Sequence, residues 1–236
     1  MLYLVTLLVF ILSYIAFMFL VKYMKNKSFW NIAFTISIYL LYVCLVLKVY
    51  GDVGFEDWNF RNTLPVANVS PFMFSIVPLI HIFPKKIKRY FYLLISLLTV
   101  GMFLSSVFGC LYNFSISYKF HPHFLLDYVA HILISMWGVY IVKSEQVSVK
   151  KKDCIISSSI ITSVAFVMMI LNVIFDTSFF GLSLNGKHNI YNNVLVKNSY
   201  LSAALYFIGL IFVLLMGWIF LQIINRKNTQ QKQNGV

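Results

Sequence analysis

The chain has 236 residues, 60% of them hydrophobic and only 11% charged, with a mean hydropathy of +0.82. A soluble domain of this length cannot hide that much apolar surface, so the composition excludes an ordinary water-soluble fold and points to an integral membrane protein. The formal net charge of +12 does not read as a nucleic-acid footprint, because the basic residues sit in short gaps beside apolar stretches, where they orient a membrane protein and meet anionic lipid headgroups.

A bilayer crossing takes about 20 apolar residues. Seven stretches qualify, at residues 2–21, 30–49, 66–83, 91–112, 124–142, 154–175 and 201–224. The first has no basic segment before its apolar run and no small-residue cleavage pattern after it, and so reads as a transmembrane helix rather than a signal peptide. The third is interrupted by Pro65, Pro71 and Pro78, which predicts a kinked or partly unwound helix at its outer end. The gaps alternate in charge. Lys22, Lys25 and Lys27; Lys85, Lys86, Lys88 and Arg89; Lys143, Lys150, Lys151 and Lys152; and Arg226, Lys227 and Lys232 hold fourteen of the nineteen basic residues. The intervening gaps carry Asp52, Glu56, Asp57, Asp127 and Asp176, five of the seven acids. Basic flanks stay on the cytoplasmic side. The predicted fold is therefore an all-α seven-transmembrane helix bundle, N-terminus outside and C-terminus inside, with one domain over 1–225 and a polar cytoplasmic tail over 226–236. The tail NTQQKQNGV reads as disordered. Of the long outer loops, 50–65 carries acids and aromatics, while 176–200 is rich in Asn, Gly and Ser and reads either as a lid or as a solvated loop.

Polar groups are costly inside a bilayer, which makes them the best pointers to function. In the fifth stretch Asp127 and His131 stand four apart, on one helix face, with the histidine about 6 Å deeper. A carboxylate beside an imidazole orients it for proton transfer or for a polar headgroup; the structural alternative is a histidine satisfied by a neighbouring helix. Asn68 and Ser70 open the third stretch, Cys110 and Asn113 close the fourth, and Asn172 and Asp176 close the sixth, all at the outer side. Their shared depth predicts an outward-facing polar pocket. The inner half offers little beyond His81, read as interfacial. The pair His121 and His123 has no third ligand at a recognised spacing, and the cysteines Cys44, Cys110 and Cys154 form no metal pattern, so no metal and no cofactor is expected. No phosphate-binding glycine loop, serine-hydrolase elbow, zinc-protease motif, voltage-sensor arginines or potassium-filter motif occurs.

The segments LPVANVSPF, PHF…DYVAHILI and LNVIFDTSFFGLSLNG, set among seven spans with an outside N-terminus, resemble the YwaF-like bacterial integral membrane proteins, a family grouped with the eukaryotic TMEM-164-like proteins. The resemblance covers about residues 30–224. The eukaryotic branch of that family is associated with acyl transfer between lipids through a membrane cysteine and a histidine, and His131 resembles that histidine. The family cysteine falls near Ala67, in a segment of pattern LPxHxC that reads LPVANVS here, so both the His and the Cys of that pattern are absent. A hydroxyl of Ser70 or Thr63 is then the substitute nucleophile, with His131 as base.

Three functions follow. The first is a multi-pass protein whose outer polar pocket, formed by Asn68, Asp127, His131 and Asn172, binds or transports a lipid or small solute, as a carrier or as a subunit of a larger membrane complex. The second is a membrane-embedded lipid acyltransferase or hydrolase with His131 as general base, Ser70 as nucleophile and Asn68 and Asn172 as donors. The third is an accessory protein acting through small-residue contacts at Gly101, Ser105 and Gly109, which serve packing within the bundle equally well. The expected partners are membrane lipids and a protein subunit, not nucleic acid. The cysteine-free outer loops are compatible with a bacterial plasma membrane. The topology is tested in a cysteine-free background. Lys86→Cys and Lys151→Cys should react with a membrane-impermeant maleimide only after cells are opened, and Asp57→Cys in intact cells; labelling of Lys86→Cys in intact cells overturns the orientation.

Overall fold

The structure, a computed structural model, describes residues 2–53, 69–116, 122–175 and 199–233. Among them the fold is all-helical, without strands. The α-helices are α1 (Leu2–Leu20), α2 (Lys27–Val53), α3 (Val69–Ile76), α4 (Lys85–Ile116), α5 (Pro122–Lys143), α6 (Lys151–Phe175) and α7 (Ser199–Gln233), with 3-10 turns at Val21–Tyr23 and Pro78–His81. Six of them, all but α3, are long and apolar enough to cross a membrane. The outer surface is apolar as well: Leu8, Phe19 and Leu20 on α1, Phe29 and Leu40 on α2, and Ile208, Ile211 and Phe212 on α7 are all exposed. In water such a surface drives aggregation; in lipid it needs no cover.

The third predicted span takes a different form. Instead of one helix over 66–83, the chain forms an eight-residue helix and then a 3-10 turn. At 1.5 Å per residue α3 is about 12 Å long, well short of a bilayer core of about 30 Å. The break in the described residues falls at Val77–Pro78, toward the basic end; the unwinding that the sequence suggested at the opposite end falls on residues outside the described part. Pro78 has no N–H to continue the ladder, and its ring disfavours a further helical turn. The outer residues 66–68 lie outside the described part, as do most of the two long outer loops. The segment is deeply buried all the same: Met73, Phe74, Val77 and Ile80 are each 0% exposed. It runs between α2, α4 and α5 as a core strut. At the C-terminus α7 continues to Gln233, so most of the expected disordered tail is helical.

α4 and α5 form the centre. Their apolar stretches are 56% and 72% buried, against 11% for α1. The two helices run antiparallel along a small-residue seam. Ser106 Oγ donates to the carbonyl of Tyr128 (3.0 Å), Ser135 Oγ to that of Thr99 (2.9 Å), and Ser96 Oγ shares its hydrogen between the carbonyls of Tyr92 (2.9 Å) and Gly138 (3.0 Å). Thr99 and Ser106 are seven apart, as are Tyr128 and Ser135, so the contact recurs every two turns on both helices. Gly101 packs against Val213 of α7 and Gly109 against Tyr128 of α5, so both glycines of the small-residue stripe serve packing within the bundle, while Ser105 between them is exposed.

The four basic clusters gather at one end of this bundle. Lys22, Lys25, Lys27 and Lys143 line a common cavity. Arg89 and Asp153, 3.0 Å apart, join the start of α4 to the start of α6, next to Lys150–Lys152. Gln222, one turn before Arg226, donates to the Val149 carbonyl (3.1 Å) in the α5–α6 connection.

Gly217 is fixed by packing, because a Cβ there would collide with the backbone carbonyl of Leu97 on α4, while one on Gly209 of the same helix would meet nothing within 4 Å. Gly217→Ala should therefore cost ~1–3 kcal/mol by forcing α7 off α4. Gly209→Ala should be neutral or gain up to ~1 kcal/mol of helix propensity. Thermal melting of both variants in the same detergent checks this, and equal melting temperatures refute the close approach.

Candidate functional site

Ser70, Asp127 and His131 meet in the core, on the side away from the basic clusters. Ser70 is the second residue of α3, and α5 carries the other two one turn apart, as their four-residue spacing predicts. His131 is only 3% exposed. Its Nδ1 lies 2.7 Å from the Asp127 carbonyl oxygen and 3.4 Å from Asp127 Oδ1. Its Nε2 lies 2.7 Å from Ser70 Oγ. The nearer Nδ1 partner is a carbonyl, which can only accept, so in the neutral imidazole Nδ1 carries the proton and Nε2 turns its lone pair to Ser70. The Ser70 hydroxyl then donates to Nε2. Its other contact, Met102 Sδ at 4.0 Å, is a much weaker acceptor. Phe74, one turn after Ser70, stands edge-on to the imidazole with ring centroids 5.3 Å apart and limits how the ring can turn.

The structure thus unites three of the residues singled out in the sequence. Asn68 lies outside the described residues, as do Thr63, Asp176 and His121. Asn172 is buried (1% exposed) on α6, which packs chiefly on α4 and α7. Three cavities stand out among the described residues. Two, of about 680 Å³ and 510 Å³, run between α6 and α7. The third, of about 590 Å³, lies at the basic end. None of them is lined by Ser70, Asp127, His131 or Asn172. Among the described residues no group of three or more His, Cys, Asp or Glu side chains is placed to hold a metal.

The basic end corrects the expectation that the inner half is poor in polar groups. Trp137 Nε1 donates to Asn31 Oδ1 (2.9 Å), Asn31 Nδ2 donates to Gln146 Oε1 (2.5 Å), and Gln146 Nε2 donates to Ser144 Oγ (2.7 Å). Thr35 Oγ1 donates to the Asn31 carbonyl (2.8 Å), so its oxygen accepts from His81 Nε2 (2.7 Å). His81, read as merely interfacial, thereby ties the end of the α3 segment to α2. Asn31 and Thr35 are four apart, the same signal that marked Asp127 and His131, but their partners lie up to 115 residues away. The turn after α5 completes the arrangement. Glu145 adopts φ 57°, and the N–H groups of Glu145 and Gln146 bond the carbonyls of Val142 (3.0 Å) and Ile141 (3.0 Å), the left-handed helix stop that presents Gln146 to Asn31.

Asn31→Ala would leave the Trp137 N–H and the Gln146 amide in a buried site without their partner. The expected loss is ~1–3 kcal/mol, read as a lower melting temperature and a red-shifted, less quenched Trp fluorescence. An unchanged melt would mean that water replaces the amide at no cost. In comparisons with known proteins, no family model, no curated protein and no solved structure matches this chain.

Proposed function

We propose that this chain is a multi-pass membrane protein whose outer end carries a hydroxyl–imidazole pair for acyl transfer or ester hydrolysis on a lipid. The observation that carries this reading is the 2.7 Å contact of Ser70 Oγ with Nε2 of a histidine whose other nitrogen is anchored at Asp127. A nucleophile on a base that is itself oriented by a third group is the arrangement that activates serine. In the proposed reaction Ser70 Oγ attacks an ester carbonyl as its proton passes to His131 Nε2. The imidazolium then protonates the departing alkoxide, leaving an acyl group on Ser70. Water or a second alcohol, deprotonated by the same nitrogen, removes it. Asp127 Oδ1, at 3.4 Å, stabilises the transient positive charge on the ring. A lipid ester suits a group at this depth in an apolar bundle, and the resemblance to the YwaF-like family, kept as a proposal, points to the same substrate class. The basic end faces the cytoplasm in this reading, by the positive-inside rule.

The second reading, a lipid or solute binding protein or transporter subunit, rests on the same polar residues. It has weaker support, because the three cavities lie elsewhere.

A fluorophosphonate probe tests the proposal on the detergent-solubilised full chain. Wild type should take one covalent adduct on Ser70, as mapped by peptide mass spectrometry. Ser70→Ala should lose it, and His131→Gln should slow it at least about a hundredfold, the usual worth of a general base. Absence of labelling in a folded wild type, or labelling undiminished in His131→Gln, overturns the enzyme reading and leaves the contact as an interhelical tie.

A further inference from the structure

At the basic end, the chain between α1 and α2 folds against the end of α5 and encloses the cavity of about 590 Å³. Its lining divides into two kinds. Lys22, Lys25, Lys27 and Lys143 supply four ammonium groups, while Met18, Phe19, Val21 and Met24 supply an apolar wall. Ser144 completes the rim, and no acid is among the lining residues; Glu145, next in the chain, is exposed.

Four like charges around one cavity repel one another and stabilise the bundle only if something answers them. Part of the answer is internal. Lys143 Nζ donates to the Met18 carbonyl (3.1 Å) at the end of α1, where the helix dipole favours a cation, and Lys22 Nζ stands 4.9 Å over the Tyr23 ring. The Tyr140 hydroxyl donates to the Met24 carbonyl (3.2 Å) and fixes the connection against α5. Lys25 and Lys27 are exposed beside the cavity mouth. The cavity is thus shaped by fixed backbone and presents cations on one side.

We infer that this cavity binds the headgroup of an anionic phospholipid, with the lysines on the phosphate and the wall of Met18, Phe19, Val21 and Met24 against the first carbons of the acyl chains. The amphiphilic lining selects a lipid over a free anion, which has no use for the apolar wall. Its position, where the apolar run of α1 gives way to lysines, is the depth at which headgroups lie. Basic pockets between transmembrane helices recognise acidic headgroups, and each lysine near the surface contributes about fivefold in affinity. The inference is independent of Ser70 and His131, and it extends to the wild-type protein whether or not the outer end is an enzyme.

Native mass spectrometry of the full chain, delipidated in detergent and titrated with phosphatidylglycerol or phosphatidylcholine, is the test. Phosphatidylglycerol should bind at least about tenfold more tightly than phosphatidylcholine, a margin that two lysines provide. The triple variant Lys22→Gln, Lys25→Gln, Lys27→Gln should weaken it by about a hundredfold. These side chains are exposed, and Lys143, which holds α1, is left in place. The pair Lys85→Gln, Lys86→Gln, in a basic cluster outside the cavity, should bind as wild type. Equal binding of the two lipids means annular lipid only and overturns the proposal. So does an equal loss in the Lys85 and Lys86 variant, which would show diffuse charge. Displacement of the lipid by millimolar inorganic phosphate would show a free-anion site and overturn the lipid assignment.

Discussion

Everything in this bundle depends on how closely α4 and α5 approach. In lipid there is no hydrophobic force to press two apolar helices together, so they are held by dispersion at short range and by hydrogen bonds across the contact. Ser96, Thr99, Ser106, Ser135 and Gly138 allow both. The hydroxyls of Ser96, Ser106 and Ser135 each reach a carbonyl of the opposite helix, Thr99 supplies the carbonyl that Ser135 reaches, and the absence of a side chain on Gly138 lets the α4 backbone come within contact of α5. A larger residue along this seam separates the helices and breaks several of these bonds together.

The close contact makes α5 the axis around which the rest is arranged, and an axial helix has no lipid or water to satisfy its polar side chains. Every polar group on it needs a protein partner. Two sets of partners result, on successive stretches of the same helix. His131 is matched by Ser70 from α3 and by Asp127 from its own preceding turn. Trp137, nearer the basic end, is matched by Asn31, which is matched in turn by Gln146. The interrupted segment between Val69 and His81 serves both: its start brings Ser70 to His131 and its end brings His81 to Thr35. Pro78 makes this division workable, since a continuous helix there would present one face along its whole length, while a short helix followed by a 3-10 turn can direct its two ends to different neighbours.

The two sets then differ in kind. The Ser70–His131 set pairs a hydroxyl with an imidazole in a dry setting, the arrangement on which the proposed acyl transfer rests. The set near the basic end is a lattice of amides, an indole and hydroxyls, an arrangement suited to locking. Around that lock the connections gather the lysines, so that the rigid end of the bundle is also the charged one.

Much of this was legible in the sequence. The apolar runs marked the six long helices to within four residues at most ends, though α4 begins six residues earlier and α7 ends nine residues later than predicted; a crossing needs a minimum length and its ends need charge. The spacing of Asp127 and His131 placed them on one face, because helix geometry is local. Ser70 was legible as a polar residue at the right depth and, with Thr63 as the alternative, as a hydroxyl for His131; their 2.7 Å contact was not. The third span was misjudged in form, since its mean hydropathy says nothing about where a proline breaks a ladder that neighbouring helices can repair. The inner network was missed, and Gly217 could not be told from Gly209. These features turn on which helix lies opposite and how near it comes, over separations of 46 to 115 residues in the bonded pairs. Composition and periodicity determined which segments enter the membrane and at which end their charges collect, because both are properties of a single helix in a layered solvent. Only the tertiary structure decided which polar groups answer one another, because a hydrogen bond is made at about 3 Å and that distance is set by packing between helices.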